Sequence, residues 1–130
     1  MVGSAATMAA WAACAILALL GLFQAALIAG APIGHFAWGG QHRVLPRHLR
    51  IGSVVSILLY AVFAVVLLQR VGVLSLLPEV VVGVGVWVIA GYLALGIPLN
   101  AISRSRPERL TMTPVVVVLF VLVVTVAIRW

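Results

Sequence analysis

The chain has 130 residues, 65% of them hydrophobic and only 8% charged, with a mean hydropathy of +1.32. A soluble domain carries about a quarter charged residues, so the polar cover of a water-facing globule is missing and lipid must be the solvent. The formal charge of +6 comes from eight arginines against two glutamates, which on a membrane protein points to threading and anionic headgroups rather than nucleic acid.

A spanning helix needs about 20 mostly apolar residues. The first such stretch runs from about Thr7 to Gly30. No basic residue precedes Arg43 and the apolar run is long, so it reads as a retained span rather than a secretory signal. Cys14 lies inside it as the single cysteine, a small apolar packing residue with no disulfide partner in the chain. Ala5, Ala9 and Ala13 recur at the spacing of one helix face, as close helix packing in lipid requires. Gln24 is the deepest strongly polar side chain, and Gly30 and Pro32 end the element.

Residues 31–50 form a loop longer than a simple helix connection needs. The second span runs from about Ile51 to Leu68, with Ser53, Ser56 and Tyr60 near one face. Pro78 and Glu79 suit the start of a third span, about Val80 to Ala101, which carries Gly83, Gly85, Gly91 and Gly96. A short arginine-rich loop, 102–110, leads to a fourth span, about Leu110 to Ile128, with Thr111 or Thr113 as its expected cap. That last helix is valine-rich and apolar all round, so it is expected to be the most lipid-exposed or to dock a partner.

The expected fold is therefore an all-α membrane protein, a single domain over 1–130 built as an antiparallel up-down bundle of four transmembrane helices. Loops one and three hold Arg43, Arg47, Arg50, Arg104, Arg106 and Arg109, whereas the opposite side holds Arg70 and Arg129. Six against two places loops 31–50 and 102–110 in the cytoplasm and both termini outside, with Trp11 and Trp130 near the outer interface. The segments GAPIGH and GIPLNA each close a span before an arginine-rich loop, a faint sign of a duplicated helix pair.

Loop one sets His35, Trp38, Gln41, His42 and Arg43 in a frame of Gly34, Gly39 and Gly40. Loop three adds Asn100, Ser103, Arg104, Ser105, Arg106, Glu108 and Arg109 on the same side. Guanidinium forks bind phosphate bidentately and histidine adds a donor. His35, Trp38, Gln41, His42, Arg43, Asn100, Arg104, Arg106 and Arg109 are thus the candidate ligand-binding residues, suited to an anionic headgroup or an isoprenoid phosphate. The competing reading gives the arginines to orientation and pairs Glu108 with Arg104, four residues apart on a helix that reaches so far. No metal is expected, because His35, His42 and His48 lie seven and six apart with no nearby cysteine or aspartate. No cofactor and no catalytic set is expected either. The small multidrug exporters share the four-span size, but their first-helix glutamate has no counterpart here.

The stretches GAPIGHFAWGGQHRVLP..LRIGS and NAISRSRPERL...PV resemble those of a family of small four-span bacterial membrane proteins with no assigned activity. The resemblance runs from about Gly30 to Pro114. It implies the four-helix architecture and a bacterial plasma membrane, points to the two loops, and carries no catalytic residue. The expected role is a non-enzymatic accessory or binding protein, whose cytoplasmic loops meet an anionic phospholipid headgroup, a larger membrane complex or a second copy of the chain. The alternatives are a transporter or flippase for an amphiphilic or isoprenoid-phosphate substrate, and an enzyme acting on a lipid phosphate through His35 or His42.

Overall fold

A computed structural model describes residues 4–128; Arg129 and Trp130, which the sequence places at the outer interface, lie outside them. Among the described residues the structure is helical, with α1 (Ser4–Ile28), α2 (Arg47–Arg70), α3 (Glu79–Ala101) and α4 (Arg106–Ala127), and no strand. All four helices are long and apolar enough to cross a membrane. At 1.5 Å per residue, 22 to 25 residues span roughly 33–38 Å, more than the hydrocarbon thickness of about 30 Å.

The surplus explains where two helices begin. The second starts at Arg47, not Ile51, and the fourth at Arg106, not Leu110. Hydropathy marks the hydrocarbon, whereas a helix needs only internal backbone bonds and continues into the headgroup layer. The cap of α4 is Ser105, whose Oγ accepts from the Glu108 N–H at 3.4 Å, with Pro107 in the first turn. Thr111 and Thr113 lie inside the helix instead of capping it. Pro98 and Pro114 both sit within helices, each withdrawing one donor from the ladder.

The ends of α1 and α2 are glycine-made. Gly30 and Gly72 take φ of +94° and +88°, and the two following amides reach back, Ala31 to the Ala26 carbonyl and Val73 to the Leu68 carbonyl. The third helix ends differently, running through Pro98 to Ala101. GAPIGH is therefore a helix terminus and GIPLNA is helix, so the two segments are not structural counterparts.

Each helix packs chiefly on two neighbours: α1 against α2 and α4, α3 against α4 and α2. The core joins Ala9, Ala10 and Ala13 of α1 to Leu67, Val86 and Val123 of the other three. Burial from lipid gains little, so close dispersion contact must hold these surfaces together. Ala5 and Gly91 fall outside the seam, exposed; Gly85 meets Val66, and Gly96 meets Val116. The fourth helix is buried as much as α1 and α2, 22% of its most apolar stretch in each, against 28% in α3. Its valines make a packing face through Leu119, Val123 and Val126, since β-branched side chains are already fixed in one rotamer and interdigitate at little entropic cost.

Side-chain clasps close the ends. Gln69 Oε1 accepts from the Leu76 and Leu77 amides at 3.0 and 2.8 Å, pinning the loop between α2 and α3. Arg70 Nη2 donates to the Ala127 carbonyl at 2.7 Å, satisfying the last turn of α4. Truncating Leu67, fully buried in the last turn of α2, to alanine should lower stability in detergent by on the order of 1–3 kcal/mol. The same change at Leu58, 62% exposed, should leave the thermal unfolding midpoint nearly unmoved.

Candidate functional site

Loop one folds back over the end of the bundle. It contains two short 3-10 turns, Gly34–Phe36 and Trp38–Gly40. Leu27, Ala37 and Leu45 form a small buried cluster beneath it, apart from the main core. The Gly34 amide donates to the Arg43 carbonyl at 2.8 Å, drawing the loop's two strands of chain together. A Cβ on Gly34 would lie 2.1 Å from the His42 carbonyl oxygen, so no larger residue fits.

Loop one is also locked to loop three. Ser105 Oγ donates to the His35 carbonyl. Gly40, at φ +72°, lies so close to Ser105 that a Cβ would come within 2.3 Å of the serine Cβ. Arg50 completes the closure: its Nε donates to the Leu45 carbonyl at 2.8 Å and its Nη1 to the Ile28 carbonyl at 3.4 Å. That guanidinium both holds the loop and satisfies a terminal carbonyl of α1.

Trp38 fixes the inner side. Its φ of +53° is a left-handed conformation that costs a tryptophan roughly 1 kcal/mol or more. Offsetting contacts hold it there: the indole lies against Gly52, and Nε1 donates to Ser53 Oγ at 3.3 Å. Any side chain on Gly52 would meet the ring at 2.7 Å. The small residues of the second helix thus seat an aromatic side chain from the loop, a use that periodicity alone does not distinguish from helix-helix packing.

Beneath this cover lies a cavity of about 260 Å³ with mixed polar and apolar walls. Gln24, Trp38, Tyr60, Tyr92, Asn100 and Glu108 supply its polar and aromatic groups. Gln24 is buried, its Nε2 donating to the Tyr60 hydroxyl at 3.4 Å, and its Oε1 has no hydrogen-bond partner among the described residues. Glu108 is also buried; Ser103 Oγ donates to its Oε1. Arg104 precedes the helix, so the expected pairing of Glu108 with Arg104 is replaced by this serine bond. Asn100 Nδ2 donates to the Gly96 carbonyl at 2.8 Å.

The nine residues singled out in the sequence are distributed as follows. Trp38 and Asn100 line the cavity. His35 is half-buried, with its ring 4.3 Å from that of Phe36, and contributes its carbonyl to the loop lock. His42 is half-buried and Gln41 exposed. Arg109 donates to the Ser103 carbonyl at 3.1 Å. Arg43, Arg104 and Arg106 are exposed, and among the described residues no arginine lines the cavity. Among the described residues no three histidine, cysteine or acidic side chains come together as a metal set. Gln24 and Tyr60 are cavity residues outside the loop motifs, and Glu108, which the loop-three motif contains, joins them from a third helix. No protein-family model, curated protein or solved structure matches the chain.

Gly34→Ala should unseat the loop, visible as faster tryptic cleavage after exposed Arg43 and a lower melting temperature. Gly39→Ala meets open space and pays only for its φ of +76°, about 1 kcal/mol, so its cleavage rate should change much less.

Proposed function

We propose that this chain is a non-enzymatic membrane protein that seats its loop-bearing end on anionic phospholipid headgroups. The observation that carries this reading is how the arginines are used. Arg50, Arg70 and Arg109 are committed to backbone carbonyls. Arg43, Arg47, Arg104 and Arg106 are exposed and make no side-chain hydrogen bond among the described residues. All four belong to loops one and three or to the first turns that follow them, at the end where Ser105 meets the His35 carbonyl. Guanidinium groups held at that depth suit phosphate oxygens, and each adds about 1 kcal/mol of attraction to an anionic leaflet.

In this reading the helices run antiparallel and loops one and three face the cytoplasm of a bacterial cell, with both termini outside, because arginines are retained on the inner side. His35 and His42 serve the fold of the loop rather than proton transfer: one is packed on Phe36 and the other's carbonyl is pressed against Gly34. A larger membrane assembly or a second copy would meet the same arginine surface through acidic groups.

Native mass spectrometry of the full chain, extracted gently and titrated with phosphatidylglycerol and phosphatidylcholine, tests the proposal. Anionic lipid should bind preferentially, and the double variant Arg104→Gln, Arg106→Gln should weaken it on the order of tenfold or more. Equal retention of both lipids by both proteins would count against the reading.

A further inference from the structure

Beside the half-open polar cavity lies a second feature that the arginine surface does not explain. Between α1 and α4 runs a groove of about 400 Å³ whose walls are almost wholly apolar, including Ile16, Leu19, Pro114 and Val118. Leu20, Phe23, Met112 and Val115 line both the groove and the polar cavity, so the two adjoin along these side chains. Pro114 stands at the groove wall, where it leaves the Leu110 carbonyl without its usual helical donor.

A polar chamber joined to an apolar channel has the outline of an amphiphile. We propose that cavity and groove form one binding site for a single-chain amphiphile with a compact, phosphate-free head that donates hydrogen bonds, a hydroxyl or an amine. The head occupies the chamber. Gln24 is only 8% exposed, yet among the described residues its Oε1 has no partner, and an unmet acceptor in hydrocarbon is costly. Glu108, 9% exposed, gives one oxygen to Ser103, and its other oxygen makes no hydrogen bond among the described residues.

These two acceptors define the head. A hydroxyl or amine donates to both, and Trp38, Tyr60 and Tyr92 supply aromatic faces around it. A phosphate would enter a chamber that, among the described residues, holds a carboxyl group and no arginine, the reverse of what binds it outside. The tail lies in the groove, whose volume fits one drug-sized apolar chain. Its flank faces the bilayer, so the ligand reaches the chamber sideways from the lipid. The covering loop closes the chamber's other side, with Ala37 and Trp38 in its wall. This site is separate from the arginine surface, and the loss of either leaves the other standing.

The test is a native mass spectrometry titration of the full chain in detergent with a monooleoylglycerol and with a lysophosphatidate of the same chain. The glycerol lipid should bind saturably at one per chain and the lysophosphatidate at least tenfold more weakly. Gln24→Leu should weaken monooleoylglycerol binding on the order of tenfold by removing the acceptor. Met112→Trp should weaken it as much by filling the junction, which keeps the test valid if the first variant folds poorly. Leu58→Trp, on the exposed face of α2, should leave it unchanged. Equal affinity for the lysophosphatidate overturns the proposal. Binding that ignores both Gln24→Leu and Met112→Trp, or that Leu58→Trp weakens equally, is annular lipid and overturns it too.

Discussion

Hydrocarbon offers no partner to a peptide N–H or C=O, and every feature of this chain follows from that constraint. Each unmet backbone group costs several kcal/mol there, so a sequence that is 65% hydrophobic has to close its bonds within helices. The constraint is met even where side chains compete. Ser56 and Thr125 turn their hydroxyls to carbonyls one turn back, at 3.1 and 2.8 Å. The terminal carbonyls, which have no helical donor, receive arginine: Ile28 from Arg50 and Ala127 from Arg70. In such a chain two of the few charged groups finish the hydrogen bonding of helix ends.

The covering loop obeys the same rule at the edge of the bilayer. Irregular backbone at that depth is tolerated when protein buries it, and here Gly34, Gly40 and Gly52 allow contacts that any Cβ would prevent. The loop is thus a built part of the fold rather than a connection. Below it lies the chamber, walled on one side by Trp38 and Ala37 and bordered on the other by the α1–α4 groove.

Four spans were legible because hydropathy over about 20 residues is a strong signal. The extra turns at Arg47 and Arg106 were not, since polar helix beyond the hydrocarbon looks like loop. A sign of the second was present in Ser105-Arg-Pro-Glu108, a serine with glutamate three residues on and proline between, which marks a helix start. The glycine frame of loop one was legible, but not its use: Gly34 and Gly40 serve close contact between the loop and its neighbours, while Gly39 takes a positive φ in open space. Valine-rich composition did not set α4 apart from α1 and α2 in burial, because apolar all round describes a packed helix as well as an exposed one. The chamber was hidden for a different reason: Gln24, Tyr60 and Glu108 lie 36 and 48 residues apart along the chain. Only the packing of three helices makes them neighbours.

Hydrogen–deuterium exchange of the chain in lipid nanodiscs, resolved to single amides, tests the account most directly. Slow exchange should map to four blocks at 5–28, 47–70, 79–101 and 106–127, with the Gly34 and Gly40 amides slowed inside the covering loop by their bonds to the Arg43 and Ala37 carbonyls. Fast exchange through any one of the four blocks, or a loop whose glycine amides exchange as freely as an open chain, would contradict it.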